Sequence, residues 1–199
     1  MYLMLFTIAL TAYFALHSIL AARRIKGVIV KYLMPVRYYR LFYNLFSIFS
    51  MLPLAWWFLA LDKTALLKST WYLLPGILLI LAGGLWILRA MRGYNLGEFS
   101  GLYQLRYGGQ LHNVELITTG LNASVRHPLY FGTLQVFWGA FLLYPTDVSL
   151  IVAALSSAYL VIGSKLEERK LAQQFGGAYR SYQRKVPMLV PFRWGRKKN

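Results

Sequence analysis

The segment VRHPLYFG, Val125 to Gly132, places an arginine, a histidine and a proline at the start of a long apolar run. Pro128 suits the first turn of a helix, where its missing N–H group is not needed. Arg126 and His127 then lie at a helix N-terminus, where free backbone N–H groups attract an anionic group. These residues could bind part of a ligand, or they could only anchor the helix at a membrane surface.

Two adjacent carboxylates, Glu167 and Glu168, directly follow the last apolar run and are surrounded in sequence by basic residues. They are two of only six acidic residues in the chain. Carboxylates at a membrane boundary are costly unless they are paired or used. One of them could pair with Arg126 or bind a cationic ligand. The alternative is an ordinary helix-surface pair between Glu167 and Lys170.

Aromatic and apolar residues follow the two carboxylates. Tyr179 and Tyr182 offer rings, and the strip from Val186 to Pro191 could fold back over a pocket or serve only as a linker. A helix N-terminus, a carboxylate, aromatic faces and an apolar cover together suit a zwitterionic cofactor with an additional positive charge. S-adenosyl-L-methionine has this chemistry, because its sulfonium favours aromatic faces and its amino-acid end needs groups of both signs.

Five long stretches of the sequence contain no charged residue, and the helices they form must position the residues named above. Hydrophobic residues make up 58% of the 199-residue chain, and each run has 17 to 22 residues without Asp, Glu, Lys or Arg. A membrane-spanning helix needs about 20 mostly apolar residues. The sequence therefore predicts an all-α integral membrane protein with one multi-pass domain, residues 1–199. Its five transmembrane helices are expected at about 1–22, 41–61, 70–91, 128–144 and 148–175, followed by a basic tail at 193–199.

The basic residues predict how these helices are oriented. Lys63 and Lys68 lie on one side of the predicted membrane, and the other 20 of the 22 Lys and Arg residues lie on the opposite side. Because cytoplasmic segments carry the excess of Lys and Arg, the N-terminus is predicted outside and the C-terminus in the cytoplasm. The net charge of +16 then indicates topology and attraction to anionic lipids at the cytoplasmic face, and no nucleic-acid partner is predicted. The membrane would be a bacterial inner membrane or that of the endoplasmic reticulum.

Residue usage limits the chemistry further. The chain has no cysteine, which excludes disulfides and cysteine nucleophiles, and its three histidines lack metal-ligand spacing, so no metal site is predicted. The segment 93–130 is too polar to span a membrane, and we expect it to form a cytoplasmic cofactor pocket with the C-terminal helix. His17 and Asn44 are polar groups inside predicted spans. We expect them to hydrogen-bond to each other, and a functional role is the alternative.

The motifs RHPLYFG and LEERKLAQQFGGAYRSYQRKVPMLVP, separated by a two-helix hairpin, resemble the isoprenylcysteine carboxyl methyltransferase and phospholipid methyltransferase superfamily. The stretches ALHSILA, FSGLYQL and HPLYFGTLQVFW extend the resemblance to its methanethiol S-methyltransferase and NnrU-like branch. The resemblance covers most of the chain and is strongest from Leu116 onward. It implies a membrane methyltransferase that uses S-adenosyl-L-methionine.

The same resemblance implies which residues bind the cofactor. They are a loop glutamine, the segment before RHP, the RHPxY turn and the first glutamate of the pair, here Gln104, Leu116, Ile117, His127, Pro128, Tyr130 and Glu167. Arg126 is the candidate catalytic residue, which would stabilise the pocket or the charge of the nucleophile. Carboxyl methyltransferases of this superfamily carry a substrate-side arginine where this chain has Gly163. This departure favours a methanethiol-like thiol that enters from the bilayer, although an isoprenylcysteine-type substrate stays possible.

Two other functions stay open from the sequence. The first is a membrane reductase that uses NADPH, because sterol reductases have a related arrangement of C-terminal helices. A dinucleotide phosphate would call for more Arg and Lys in the pocket. The second is a non-catalytic NnrU-like membrane protein, which would bind no cofactor at all.

Overall fold

A computed structural model describes residues 1–67, 70–108 and 115–192 of the chain. Within them the regular structure is helical, apart from one isolated bridge between Ala65 and Thr146. The helices are α1 (Tyr2–Ala21), α2 (Arg23–Tyr32), α3 (Val36–Ala60), α4 (Leu73–Met91), α5 (Leu96–Ser100), α6 (Leu102–Arg106), α7 (Pro128–Leu143), α8 (Asp147–Phe175) and α9 (Gly177–Lys185). His112 and the basic tail at 193–199 lie outside the described residues.

Four of these helices, α1, α3, α4 and α8, are long and apolar enough to cross a membrane. Helix α7 is apolar but has only 16 residues, a length of about 24 Å. The hydrocarbon core of a bilayer is about 30 Å thick. The all-α prediction is therefore confirmed for the described residues, whereas the fifth span and the orientation stay predictions.

The chain forms two compact units. The first contains Met1–Thr64 and Tyr94–Val114, and the second contains Ala65–Gly93 and Glu115–Asn199. The segment 93–130, which we expected to line a cofactor pocket, is therefore divided between the two units. Its part from Glu115 onward belongs with α7, α8 and α9.

In the first unit, α1 packs against α3 through a polar contact at His17. The Nδ1 atom of His17 lies 2.9 Å from the hydroxyl of Ser47, and its Nε2 atom lies 2.6 Å from the hydroxyl of Tyr43. The side-chain amide of Asn44 donates to two backbone carbonyls of α5, at 2.9 and 2.8 Å. The predicted pairing of His17 with Asn44 is therefore wrong, because each side chain bonds to other groups. Both side chains join helices of this unit.

In the second unit, α4 and α7 touch backbone to backbone through two pairs of glycines. A Cβ atom on Gly83 would lie 2.6 Å from the carbonyl oxygen of Gly132, and one on Gly139 would lie 2.8 Å from that of Gly76. Small residues allow such close approach in membrane helices, where van der Waals packing drives association. The two helices can therefore pack this closely only while these four positions carry no side chain.

Helix α8 carries the glutamate pair and has defined ends. At its start, the hydroxyl of Thr146 accepts from the N–H of Ser149 at 3.2 Å, and the hydroxyl of Ser149 accepts from the N–H of Thr146 at 3.0 Å. Such a reciprocal cap satisfies two backbone donors at once. At its end, Gly176 has a φ of +54°, a region that favours glycine. Helix α8 thus ends at Phe175, where the sequence predicted that the last apolar helix would end, and α9 begins after Gly176.

Replacing Gly83 with alanine should lower the free energy of unfolding by about 1–3 kcal/mol, because the new methyl group would overlap the backbone of α7. Gly84→Ala is the matched control, since a Cβ atom at Gly84 meets nothing within 4 Å. Thermal unfolding of both variants in the same detergent measures the difference. Equal melting temperatures would contradict the close packing of α4 on α7.

Candidate functional site

The C-terminal segment holds the turn that starts α7. The backbone N–H of Arg126 donates to the carbonyl oxygen of Pro187 at 2.9 Å, and that of His127 donates to Met188 at 3.1 Å. The strip that follows α9 therefore folds back onto the RHP turn, which is one of the two interpretations that the sequence allowed. Its role as the cover of a pocket stays a prediction.

Arg126 forms an ion pair with the second glutamate. Its Nε atom lies 2.6 Å from Oε1 of Glu168, and only 10% and 11% of the two side chains are exposed. Its Nη1 atom donates to the carbonyl oxygens of Gln183 and Val186, where α9 ends. The side-chain amide of Gln183 donates to the other oxygen of Glu168 at 2.9 Å. The predicted pairing of Arg126 with a glutamate is confirmed, and it joins the start of α7 and the end of α9 to α8.

His127 lies between the two glutamates. Its Nε2 atom is 3.2 Å from Oε1 of Glu168, and its Nδ1 atom is 3.7 Å from Oε2 of Glu167. The ring of Tyr130 stacks on the imidazole at a centroid distance of 5.5 Å and an angle of 4°, and its hydroxyl donates to Oε2 of Glu167 at 3.2 Å. The side chain of Glu167 is 48% exposed, against 6% for His127. Glu167 is therefore the carboxylate of the pair that a ligand can reach.

A small core of Tyr179, Tyr182 and Val186, the tyrosine cluster, packs beside these charged groups. The hydroxyl of Tyr182 donates to the carbonyl oxygen of Asn122 at 2.6 Å. Tyr179 is 1% exposed, and its hydroxyl has no hydrogen-bond partner among the described residues. Burial, together with the nearby negative charge of Glu168, raises the pKa of the Tyr179 phenol above its usual range. This phenol is therefore neutral at physiological pH.

All but one of the predicted cofactor-binding residues belong to the second unit of the structure. Leu116 packs against the tyrosine cluster, Ile117 is 53% exposed, and Pro128 is buried as the first residue of α7. They belong to the second unit with His127, Tyr130 and Glu167. Gln104 belongs to the first unit, where its side-chain amide donates to the carbonyl oxygen of Glu98 at 3.2 Å. Its predicted contact with the cofactor stays a prediction.

Sequence reasoning missed the contribution of Gln183, which bonds to Glu168 with its amide and to Arg126 with its carbonyl. A signal was available. Gln183 follows Tyr179 by four residues, so both lie on the same face of α9. A polar residue on the buried face of an amphipathic helix is expected to satisfy a buried partner.

The sequence profile of the phospholipid methyltransferase family matches residues 71–178. This range contains α4, α7 and α8, with the RHP turn and both glutamates. The match covers more than half of the chain. The chain therefore belongs to the phospholipid methyltransferase family, which confirms the resemblance that the motifs showed.

Three relatives show where the similarity lies. Methanethiol S-methyltransferase 1 of Bradyrhizobium diazoefficiens is 31% identical over 191 residues, which cover 92% of this chain and 65% of the relative. Methanethiol S-methyltransferase of Pseudomonas deceptionensis is 45% identical over 67 residues, 34% of this chain and 25% of the relative. The enzyme of the same name from Mycobacterium tuberculosis is 35% identical over 68 residues, 34% of this chain and 27% of the relative. The chain thus spans less than two thirds of the length of these relatives. No solved structure matches it.

Glu168→Gln should lower the free energy of unfolding by about 3 kcal/mol, because it leaves the guanidinium of Arg126 buried without its counter-charge. Glu167→Gln is the matched control on the same helix. Its half-exposed side chain should change the stability by less than about 0.5 kcal/mol. The melting temperatures of the two variants measure this difference. If Glu168→Gln melted at the same temperature as the unmodified protein, the ion pair would not be what holds these helices together.

Tyr179→Phe should leave the stability unchanged or raise it, since the removed hydroxyl is buried without a partner in the described structure. Tyr182→Phe removes the same atom from a neighbouring ring and should lower the free energy of unfolding by about 1 kcal/mol, because it loses the bond to Asn122. Thermal unfolding in the same detergent compares the stabilities of the two variants. The opposite order would contradict the hydrogen bonding described for the tyrosine cluster.

Proposed function

We propose that the chain is a membrane methyltransferase that transfers the methyl group of S-adenosyl-L-methionine to a small lipophilic thiol such as methanethiol. Membership of the phospholipid methyltransferase family and relatives named methanethiol S-methyltransferase support the reaction class. The observation that carries the proposal is the arrangement of Glu167 beside the stacked rings of His127 and Tyr130, at the start of α7.

The groups around Glu167 fit the amino-acid end and the sulfonium of this cofactor. The side chain of Glu167 is half-exposed, so its carboxylate can accept hydrogen bonds from an ammonium group. The N-cap residue of α7, His127, makes no capping hydrogen bond with its side chain, so the free N–H groups of the first turn suit a carboxylate. The aromatic face of Tyr130 is close to Glu167 and suits a cationic sulfur. Each charge of the ligand thus has a group of suitable chemistry in the second unit.

The cofactor, when bound, supplies a methyl group that its positively charged sulfur makes electrophilic. The acceptor thiol would lose its proton to water, and transfer to the resulting thiolate would release S-adenosylhomocysteine and the thioether. The protein would contribute mainly positioning and the exclusion of water from the reacting atoms. Glu167 and Tyr130 would bind and orient the ligand. Arg126 has its Nε and Nη1 atoms bonded to Glu168 and to two carbonyl oxygens. These bonds support the first of its two predicted roles, stabilising the pocket.

A thiol acceptor is supported by Gly163. This residue lies one turn before Glu167 on α8, and a Cβ atom there would meet nothing within 4 Å. The position therefore offers open space and no cation. A carboxylate substrate would need a counter-charge, whereas a small thiol would not. We propose that the acceptor reaches the site from the bilayer and the cofactor from the cytoplasm. We also propose a bacterial inner membrane, since the relatives named above come from bacteria.

The test is calorimetric binding of S-adenosyl-L-methionine and S-adenosylhomocysteine to the purified protein in detergent. Glu167→Gln should weaken cofactor binding by roughly 10- to 100-fold, the effect of one charged hydrogen bond. It should leave the melting temperature unchanged. Glu115→Gln removes an exposed carboxylate from the same unit and is the charge-matched control. Equal affinity of both variants would remove Glu167 from the site.

Activity is measured as dimethyl sulfide formed from methanethiol and S-adenosyl-L-methionine, by gas chromatography. Binding without this product would keep the methyltransferase class and reject this acceptor. Stabilisation by NADPH in place of S-adenosyl-L-methionine would support a reductase, which the names of the relatives do not favour. Absence of any cofactor binding would support a non-catalytic protein.

A further inference from the structure

A second candidate binding surface lies in the first unit, at α2. Arg23, Lys26, Gly27 and Val30 follow one another at intervals of three, one and three residues, which places them on one face of this helix. With Val36 at the start of α3 they line an open cavity of about 380 Å³, the α2 groove. The groove thus combines two cations with an apolar wall.

The two cations are exposed, and Lys26 lies over an aromatic ring. The ammonium of Lys26 lies 5.7 Å from the ring centroid of Tyr39, whose hydroxyl donates to the carbonyl oxygen of Leu20 at the end of α1. Lys26 is therefore held where α1, α2 and α3 meet. The first 61 residues contain no Asp or Glu, so the local sequence supplies no counter-charge. An anionic ligand would supply the counter-charge for these two cations.

The apolar side of the groove indicates the kind of anion. A Cβ atom on Gly27 would meet nothing within 4 Å, so the space above this residue is open. Val28, Tyr32 and Leu33, next to the groove in sequence, are 54%, 70% and 76% exposed. A helix with cations and exposed apolar side chains is typical of the membrane–water interface. Free phosphate would use only the cations, whereas a phospholipid would use both sides.

We propose that the α2 groove binds an anionic phospholipid. Arg23 and Lys26 bind the headgroup phosphate, and Gly27, Val30 and Val36 contact the beginning of an acyl chain. This binding is separate from the methyltransferase reaction and involves none of the residues around Glu167.

The charge requirement is tested with two double variants of the full chain in a neutral detergent. Arg23→Gln with Lys26→Gln removes both groove cations, and Arg24→Gln with Lys31→Gln removes the same charge from elsewhere on α2. Native mass spectrometry counts bound dioleoylphosphatidylglycerol against dioleoylphosphatidylcholine. The groove variant should lose roughly 30-fold in affinity for the anionic lipid, and the control variant much less. Equal losses would overturn the proposal in favour of diffuse electrostatic attraction.

A charge-neutral variant tests the groove itself. Gly27→Leu places an isobutyl group in the open space and improves helix propensity, so the protein should fold normally. Its affinity for dioleoylphosphatidylglycerol should fall about tenfold, with no change in melting temperature measured without lipid. Full retention of lipid binding in this variant would overturn the proposal. Displacement of the lipid by inorganic phosphate at equal concentration would also overturn it, because the cations alone would then be enough.

Discussion

The buried ion pair between Arg126 and Glu168 is the interaction on which the rest of the site depends. Burying an ion pair is favourable only when further hydrogen bonds satisfy the remaining donors and acceptors of the two charged groups. Here the bonds come from the carbonyls at the end of α9 and from the amide of Gln183. The hydrogen bonds of one guanidinium therefore bring together the start of α7, the end of α9 and the face of α8 that carries Glu168.

The two adjacent glutamates have different environments because they point in different directions from α8. Neighbouring residues on a helix point in directions about 100° apart. Glu168 therefore faces the buried arginine, while Glu167 keeps half of its side chain exposed beside Tyr130. One carboxylate stabilises the fold of the site, and the other is available to a ligand. The structural charge also holds His127, which brings the imidazole next to the exposed carboxylate.

Much of this arrangement could be predicted from the sequence, because the signals were local or had one plausible partner. The helix stop at Gly176, the helix start at Pro128 and the pairing of Arg126 with a glutamate are of this kind. The assignment of that partner to Glu168 depends on the rotation of α8 against α7, which no spacing in the sequence encodes. His17 was similarly ambiguous, since several polar groups of α3 lay within reach and Tyr43 and Ser47 became its partners.

The glycine contacts between α4 and α7 have a consequence for biosynthesis. Helix α4 leaves the ribosome before α5, α6 and the segment that precedes α7. During that interval its glycine face is covered by lipid tails, which cannot fit the bare backbone as closely as α7 does. The final docking step then exchanges lipid for protein at Gly76 and Gly83. A chain that ends before α7 would therefore leave this glycine face of α4 without the only backbone surface that fits it among the described residues.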